Sequence, residues 1–132
     1  KTIIVLDTNI LIDYIHGYAP WLNLLLKSDS RVIISTIVVA EYLQAPSLDK
    51  KTEVRSAERT FALFEKQDLT QEIAEILGRM LRRKKYPPGA DLVDLIIAST
   101  ALYLDAQLAT RNKLHFKGIP GLRFFDPKEL EN

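Results

Sequence analysis

A chain of 132 residues, 47% hydrophobic and 27% charged, has the size and balance of one soluble globular domain, 1–132, built on a single core. No cysteine is present, which excludes a disulfide framework, a thiolate zinc site and a thiol nucleophile. No apolar run approaches the roughly 20 residues that span a bilayer, so no membrane partner is expected and a cytoplasmic location is the simplest reading. The 18 basic and 17 acidic residues nearly cancel, so a polyanion could be met only by local clusters.

Short aliphatic runs and helical patterns alternate along the chain. Ile3 to Leu6 is a run of the buried-strand type, too short for the core of a signal peptide, and it leads directly into Asp7. A helical pattern from Thr8 to His16 follows; Asp7 can cap it, and Thr8 and Asn9 could also do so. Trp21 to Lys27 follows Pro20, a residue favoured at helix starts. Arg31 to Ser35 is a second strand, and Thr36 to Gln44 a helix that stops before Pro46 and carries Glu41 in an otherwise apolar stretch. Val54, Ala57, Phe61 and Phe64, spaced 3-4-3, predict a helix with one apolar stripe. Ile73, Ile76, Leu77, Met80 and Leu81 predict another, with Thr70 as its cap. Between these two helices, Gln67 to Leu69 offers one short strand. The second helix ends in Arg79, Arg82, Arg83, Lys84 and Lys85. That cluster is either a solvated end complementing the helix dipole or a phosphate-contacting patch. After Pro87-Pro88-Gly89, a helix is predicted over 91–104 with Asp91 as its cap, and Gln107 to Thr110 and Leu122 to Phe125 complete the strands.

Strands alternating with helices imply a three-layer α/β/α sandwich around a parallel sheet of four to five strands. Ligands of such sheets bind beyond the carboxyl ends of the strands. Asp7 ends the first strand, and Glu41 lies about one and a half turns into the helix after the second. Asp94 is in the first turn of the helix before the third strand, and Thr110, Arg111 and Asn112 lie just past that strand. Each acid has a plainer role: Asp7 and Asp91 as caps, Glu41 on a solvent-facing stripe. Asp94, flanked by Leu92, Val93, Leu95, Ile96 and Ile97, would need a partner if desolvated. Ala98 and Ala101 continue its face and would let the helix approach the sheet, bringing Asp94 near Asp7. Carboxylates gathered in one place repel unless a cation neutralises them. Hard divalent ions take oxygen ligands, keep open positions, activate water and stabilise charge on a phosphodiester. On residues alone, the reading goes only as far as a candidate acidic metal site in an α/β domain.

Four stretches carry more. "VLDTNILID", "ISTIVVAEYL", "DLVDLIIASTAL" and "LATRNKLHF", in this order and spacing, resemble the motifs of the PIN domain, and more narrowly the VapC-type toxins of toxin–antitoxin pairs. The resemblance covers essentially the whole chain. It implies an endoribonuclease whose acidic triad, Asp7, Glu41 and Asp94, holds one or two Mg2+ or Mn2+ ions, with Asn9, Thr110 and Asn112 in support. It implies hydrolysis of RNA to a 5′-phosphate and a 3′-hydroxyl, a homodimer, and a small antitoxin laid along the groove. Members of the family commonly carry an acid three residues after the Asn of the last motif; here His115 stands there. Its plainer role is a loop histidine. If it reaches the site, imidazole suits manganese better than magnesium and the second metal position weakens, with Asp91 as a possible replacement ligand. Arg79, Arg82, Arg83, Arg111 and Lys113, with Lys117, are the candidate RNA contacts.

Three other readings fit the sequence less well. A PIN nuclease of RNA processing, without antitoxin, is disfavoured by the compact length. A nuclease-dead scaffold is disfavoured by three intact acids. A phosphoacceptor receiver domain would need paired acids at the first strand, an acceptor Asp after the third and a Lys after the last; here the first strand ends in one Asp, and "LATRN" supplies Thr and Arg.

Overall fold

The computed structural model describes residues 2–131. Five parallel strands, β1 (Ile3–Leu6), β2 (Arg31–Ser35), β3 (Glu65–Gln67), β4 (Gln107–Ala109) and β5 (Arg123–Phe124), lie in the order β3-β2-β1-β4-β5. Parallel neighbours need crossovers, and six helices supply them: α1 (Thr8–Ile15), α2 (Trp21–Lys27), α3 (Thr36–Leu43), α4 (Lys51–Phe61), α5 (Gln71–Arg83) and α6 (Leu92–Tyr103). The result is the three-layer sandwich that the alternation implies.

β1 is the central strand, and its sequence explains why. Ile4, Val5 and Leu6 have no alternation of apolar and polar residues because both faces of the strand are covered, and all three are fully buried. β1 pairs with β2 through Ile3–Arg31 and Val5–Ile33, and with β4 through Val5–Leu108 and Leu6–Ala109. The Asp7 N–H then donates to the Ala109 carbonyl at 2.9 Å, extending the pairing one residue past the strand.

α6 is apolar nearly all round, as a helix enclosed by other elements must be. Ala98 and Ala101 are fully buried, the close approach their size permits. Ser99 and Thr100 are buried too, their hydroxyls donating to the Leu95 and Ile96 carbonyls at 2.7 and 2.8 Å. α5 starts at the expected cap, Thr70 Oγ1 accepting from the Ile73 N–H.

Two expectations shift. The strand sought at Gln67 to Leu69 lies at Glu65–Gln67, and Leu69 is exposed. It is a polar edge strand, pairing Glu65 to Gln67 with Ile33 to Ser35, so no hydrophobic pattern marks its register. α4 ends at Phe61, so Phe64 lies beyond it; Phe64 is buried and meets Tyr14 edge-on at 6.3 Å.

Candidate active site

The chain leaves β1 toward β2 on one side of the sheet, while β4 lies on the other. β1 and β4 therefore flank the point where strand order reverses, the place where open parallel sheets bind ligands. A cleft of about 660 Å³ opens there. Asp7, Glu41, Asp91, Asp94, Asn112 and His115 all line it, joined by Glu53, which the sequence did not single out.

Asp7 serves two roles with its two oxygens. Its backbone is extended and it is the N-cap of α1, Oδ1 accepting from the Thr8 N–H at 2.7 Å. The expectation that Thr8 or Asn9 could cap the helix gives way here: Thr8 Oγ1 is buried without a hydrogen-bond partner in the described residues. Oδ2 faces the fourth strand, accepting from Thr110 Oγ1 at 2.7 Å and from Asn9 Nδ2 at 3.2 Å. Asn9 in turn accepts from the Arg111 N–H at 3.2 Å, and Thr110 Oγ1 from the Asn112 N–H at 2.9 Å. Asn9, Thr110 and the 110–112 turn thus hold one carboxylate that is 5% exposed. Burial raises its pKa above the usual carboxylate range; the Thr110 and Thr8 donors oppose that rise, and the charge on Asp91 adds to it.

Asp91 and Asp94 form a reciprocal cap on α6. Asp91 Oδ1 accepts from the Asp94 N–H at 2.8 Å, and Asp94 Oδ2 from the Asp91 N–H at 3.1 Å. Asp94 is largely buried, and its pKa is raised first by desolvation and then by the charges of Asp91 and Asp7, against the Asp91 N–H and His115. His115 Nδ1 lies 3.3 Å from Asp94 Oδ2. Glu41 approaches from α3, and no hydrogen bond or ion pair fixes it among the described residues. Five carboxylates therefore line one cleft, with the imidazoles of His16 and His115 as the cationic candidates.

No group of three His, Asp or Glu side chains among the described residues is arranged to hold a metal ion by itself. The donor set nevertheless fits a hard divalent ion, which uses one or two carboxylates and keeps several waters for exchange with phosphate oxygens. Buried Asp7 and half-buried Asp94, their pKa values raised by desolvation and then by the charge of other acids, are what such a cation would relieve.

The basic candidates stand apart from this cleft. Arg79, Arg83 and Lys85 line a second cleft of about 300 Å³ with Met80, Leu102 and Ile119. Arg82 and Arg83 fall in the last turn of α5, where cations complement the dipole. Arg111 Nε is tied to Asp13 Oδ2 at 2.6 Å, and Lys113 Nζ lies 5.8 Å from the centre of the Phe124 ring. Asp13, one and a half turns after Asp7, had no sequence signal; only the fold shows it fastening the loop after β4.

Comparison with known proteins agrees with the geometry. The PIN domain matches residues 4–121. Ribonuclease VapC19 of Mycobacterium tuberculosis is 32% identical over 123 residues, which are 90% of this chain and 96% of that protein. VapBC2 of Rickettsia felis, solved bound to a DNA fragment from its promoter, superposes with a TM-score of 0.76 at 30% identity, covering 94% of this chain and 98% of that one. A toxin–antitoxin complex from Klebsiella pneumoniae gives 0.72, also at 30% identity, over 94% and 97%.

Proposed function

The chain belongs to the PIN domain family, and from that premise we propose that it is a divalent-metal-dependent endoribonuclease, the toxin of a VapBC-type pair. The observation that carries this reading is the cleft of five carboxylates at the switch point of the sheet, with buried Asp7 and half-buried Asp94 both pushed toward protonation. Acids so placed lower the stability of the fold and are suited to a cation. The relatives named as VapC ribonucleases and the neighbours solved as toxin–antitoxin complexes support RNA as substrate and a small antitoxin as partner. A homodimer is part of the same reading.

In this reading Asp7, Glu41 and Asp94 hold one or two Mg2+ or Mn2+ ions. Bound there, the ion supplies a Lewis acid and a more acidic water. Asn9 and Thr110 keep the Asp7 carboxylate oriented through their donors, and the Thr110 hydrogen bond opposes the rise in its pKa. Asn112, exposed at the cleft, orients water or phosphate. Water attacks phosphorus and the bond to the 3′-oxygen breaks, leaving a 5′-phosphate and a 3′-hydroxyl. The RNA backbone meets Arg79, Arg82, Arg83 and Lys113 only outside the acid cleft, so these side chains position the strand and take no part in the chemistry.

Asp7→Asn keeps size and the cap yet removes one charge from the site. Cleavage of RNA in Mg2+ or Mn2+ is expected to fall by at least about 100-fold, with ends mapped by ligation-based sequencing in the presence and absence of the neighbouring gene product. Unchanged cleavage by the folded variant would sink the site assignment. Cleavage that the neighbouring product leaves untouched would favour an RNA-processing nuclease without antitoxin.

A further inference from the structure

His115 is held in place from several sides. It closes a 3-10 turn, Lys113–His115, its N–H donating to the Asn112 carbonyl at 3.0 Å. The next residue, Phe116, is 1% exposed and anchors the turn in the core. The imidazole faces Gly89, where an added Cβ would stand 3.7 Å from Cδ2 and 3.9 Å from Nε2, so a side chain there would border the ring. Its Nδ1 is thereby set 3.3 Å from Asp94 Oδ2, inside the acid cleft.

That distance is longer than the ~2.7–2.9 Å of a charge-assisted N–H···O bond. It is a separation at which both side chains could reach one ion lying between them. Both Asp7 oxygens accept from donors, and Asp94 Oδ2 accepts from the Asp91 N–H, while Asp94 and His115 both line the cleft side by side.

We propose that His115 Nδ1 and Asp94 are paired ligands of the divalent ion in this cleft, and that the nitrogen makes the site select manganese over magnesium. The inference rests on the metal-dependent reading above and adds a ligand and a selectivity to it. Magnesium holds its waters tightly and favours an all-oxygen octahedron. Manganese, a first-row transition ion, accepts a mixed nitrogen–oxygen set at less penalty. With the ring proton on Nε2, the Nδ1 lone pair is free to bind. His115 then adds a nitrogen to the carboxylates of the cleft, and the remaining positions are left to water and phosphate.

The test is metal binding itself, by calorimetric titration of Mn2+ and Mg2+ into the metal-free protein and by pulsed EPR of bound Mn2+. The wild type should bind Mn2+ more tightly and show coupling to an imidazole 14N. His115→Gln should lose about tenfold in Mn2+ affinity, leave Mg2+ within about twofold, and lose the 14N coupling. His16→Gln, altering the other imidazole of the cleft, should keep that coupling. His115→Asp should raise Mg2+ affinity and close the gap between the ions. Undiminished Mn2+ affinity in His115→Gln, or no 14N coupling in the wild type, overturns the ligand assignment while RNA cleavage stands. A wild type that binds neither ion overturns the metal reading and this inference together.

Discussion

Asp7 is where strand, helix and site meet, and its nearest donor decides how it behaves. Thr110 Oγ1 gives Asp7 Oδ2 a hydrogen bond of 2.7 Å between two buried groups. A hydrogen bond to a charged group is worth about 1.5–3 kcal/mol, and losing the donor leaves a buried carboxylate short of one. Thr110→Val, similar in shape, is expected to destabilise the fold by about that amount near neutral pH and less in acid, where the carboxyl is protonated. Thr110→Ser should restore most of the loss. Chemical denaturation at two pH values reads this directly, and an unaltered midpoint in the valine variant would remove Thr110 from its supporting role. Of the two readings of Asp7 that the sequence left open, the cap is present, and it takes one oxygen only, the other accepting from Thr110 at the cleft. A linear pattern could not divide the roles because Thr110 and Asn9 meet the carboxylate only through the pairing of β1 with β4.

At the level of elements, legibility followed burial. β1, β2, α2 and α5 were readable because an enclosed strand is unbroken in apolar residues and a half-covered helix shows a stripe. β3 was misplaced by two residues because Glu65, Lys66 and Gln67 are a solvent-facing edge with no such pattern. The order of strands was not legible at all, since it depends on crossovers and not on any local residue. α6 carries an element-scale prediction. Its reciprocal Asp91–Asp94 cap satisfies two backbone N–H groups at the mouth of the cleft. Asp91→Ala should cost about 1 kcal/mol, and Asp91→Asn only a few tenths, because Asn caps as well as Asp. Divalent-dependent cleavage measured alongside separates the cap from a ligand. If Asp91→Asn keeps stability but loses activity, Asp91 is a ligand as well; if both are kept, it is a cap alone.

Across the whole molecule, the acid cleft sets stability against function. Both Asp7 and Asp94 titrate above the ordinary aspartate value of 3.8. In the pH window just above that value the folded chain binds more protons than the unfolded one, so stability falls as pH rises through it. Once pH has passed both folded values the two acids are ionised and their destabilising effect is fully present. Asp94→Asn removes one of these charges while its amide oxygen can still accept from the Asp91 N–H. In EDTA at neutral pH the variant should therefore melt above the wild type, with the difference shrinking toward pH 4. Added Mn2+ should reverse the order, because a ligand at 100 times its Kd stabilises the form that binds it by about 2.7 kcal/mol. Thermal melts with EDTA, with Mn2+ and at two pH values suffice. A variant less stable than the wild type in EDTA would show that these acids are held by the fold's own donors and not poised for a cation.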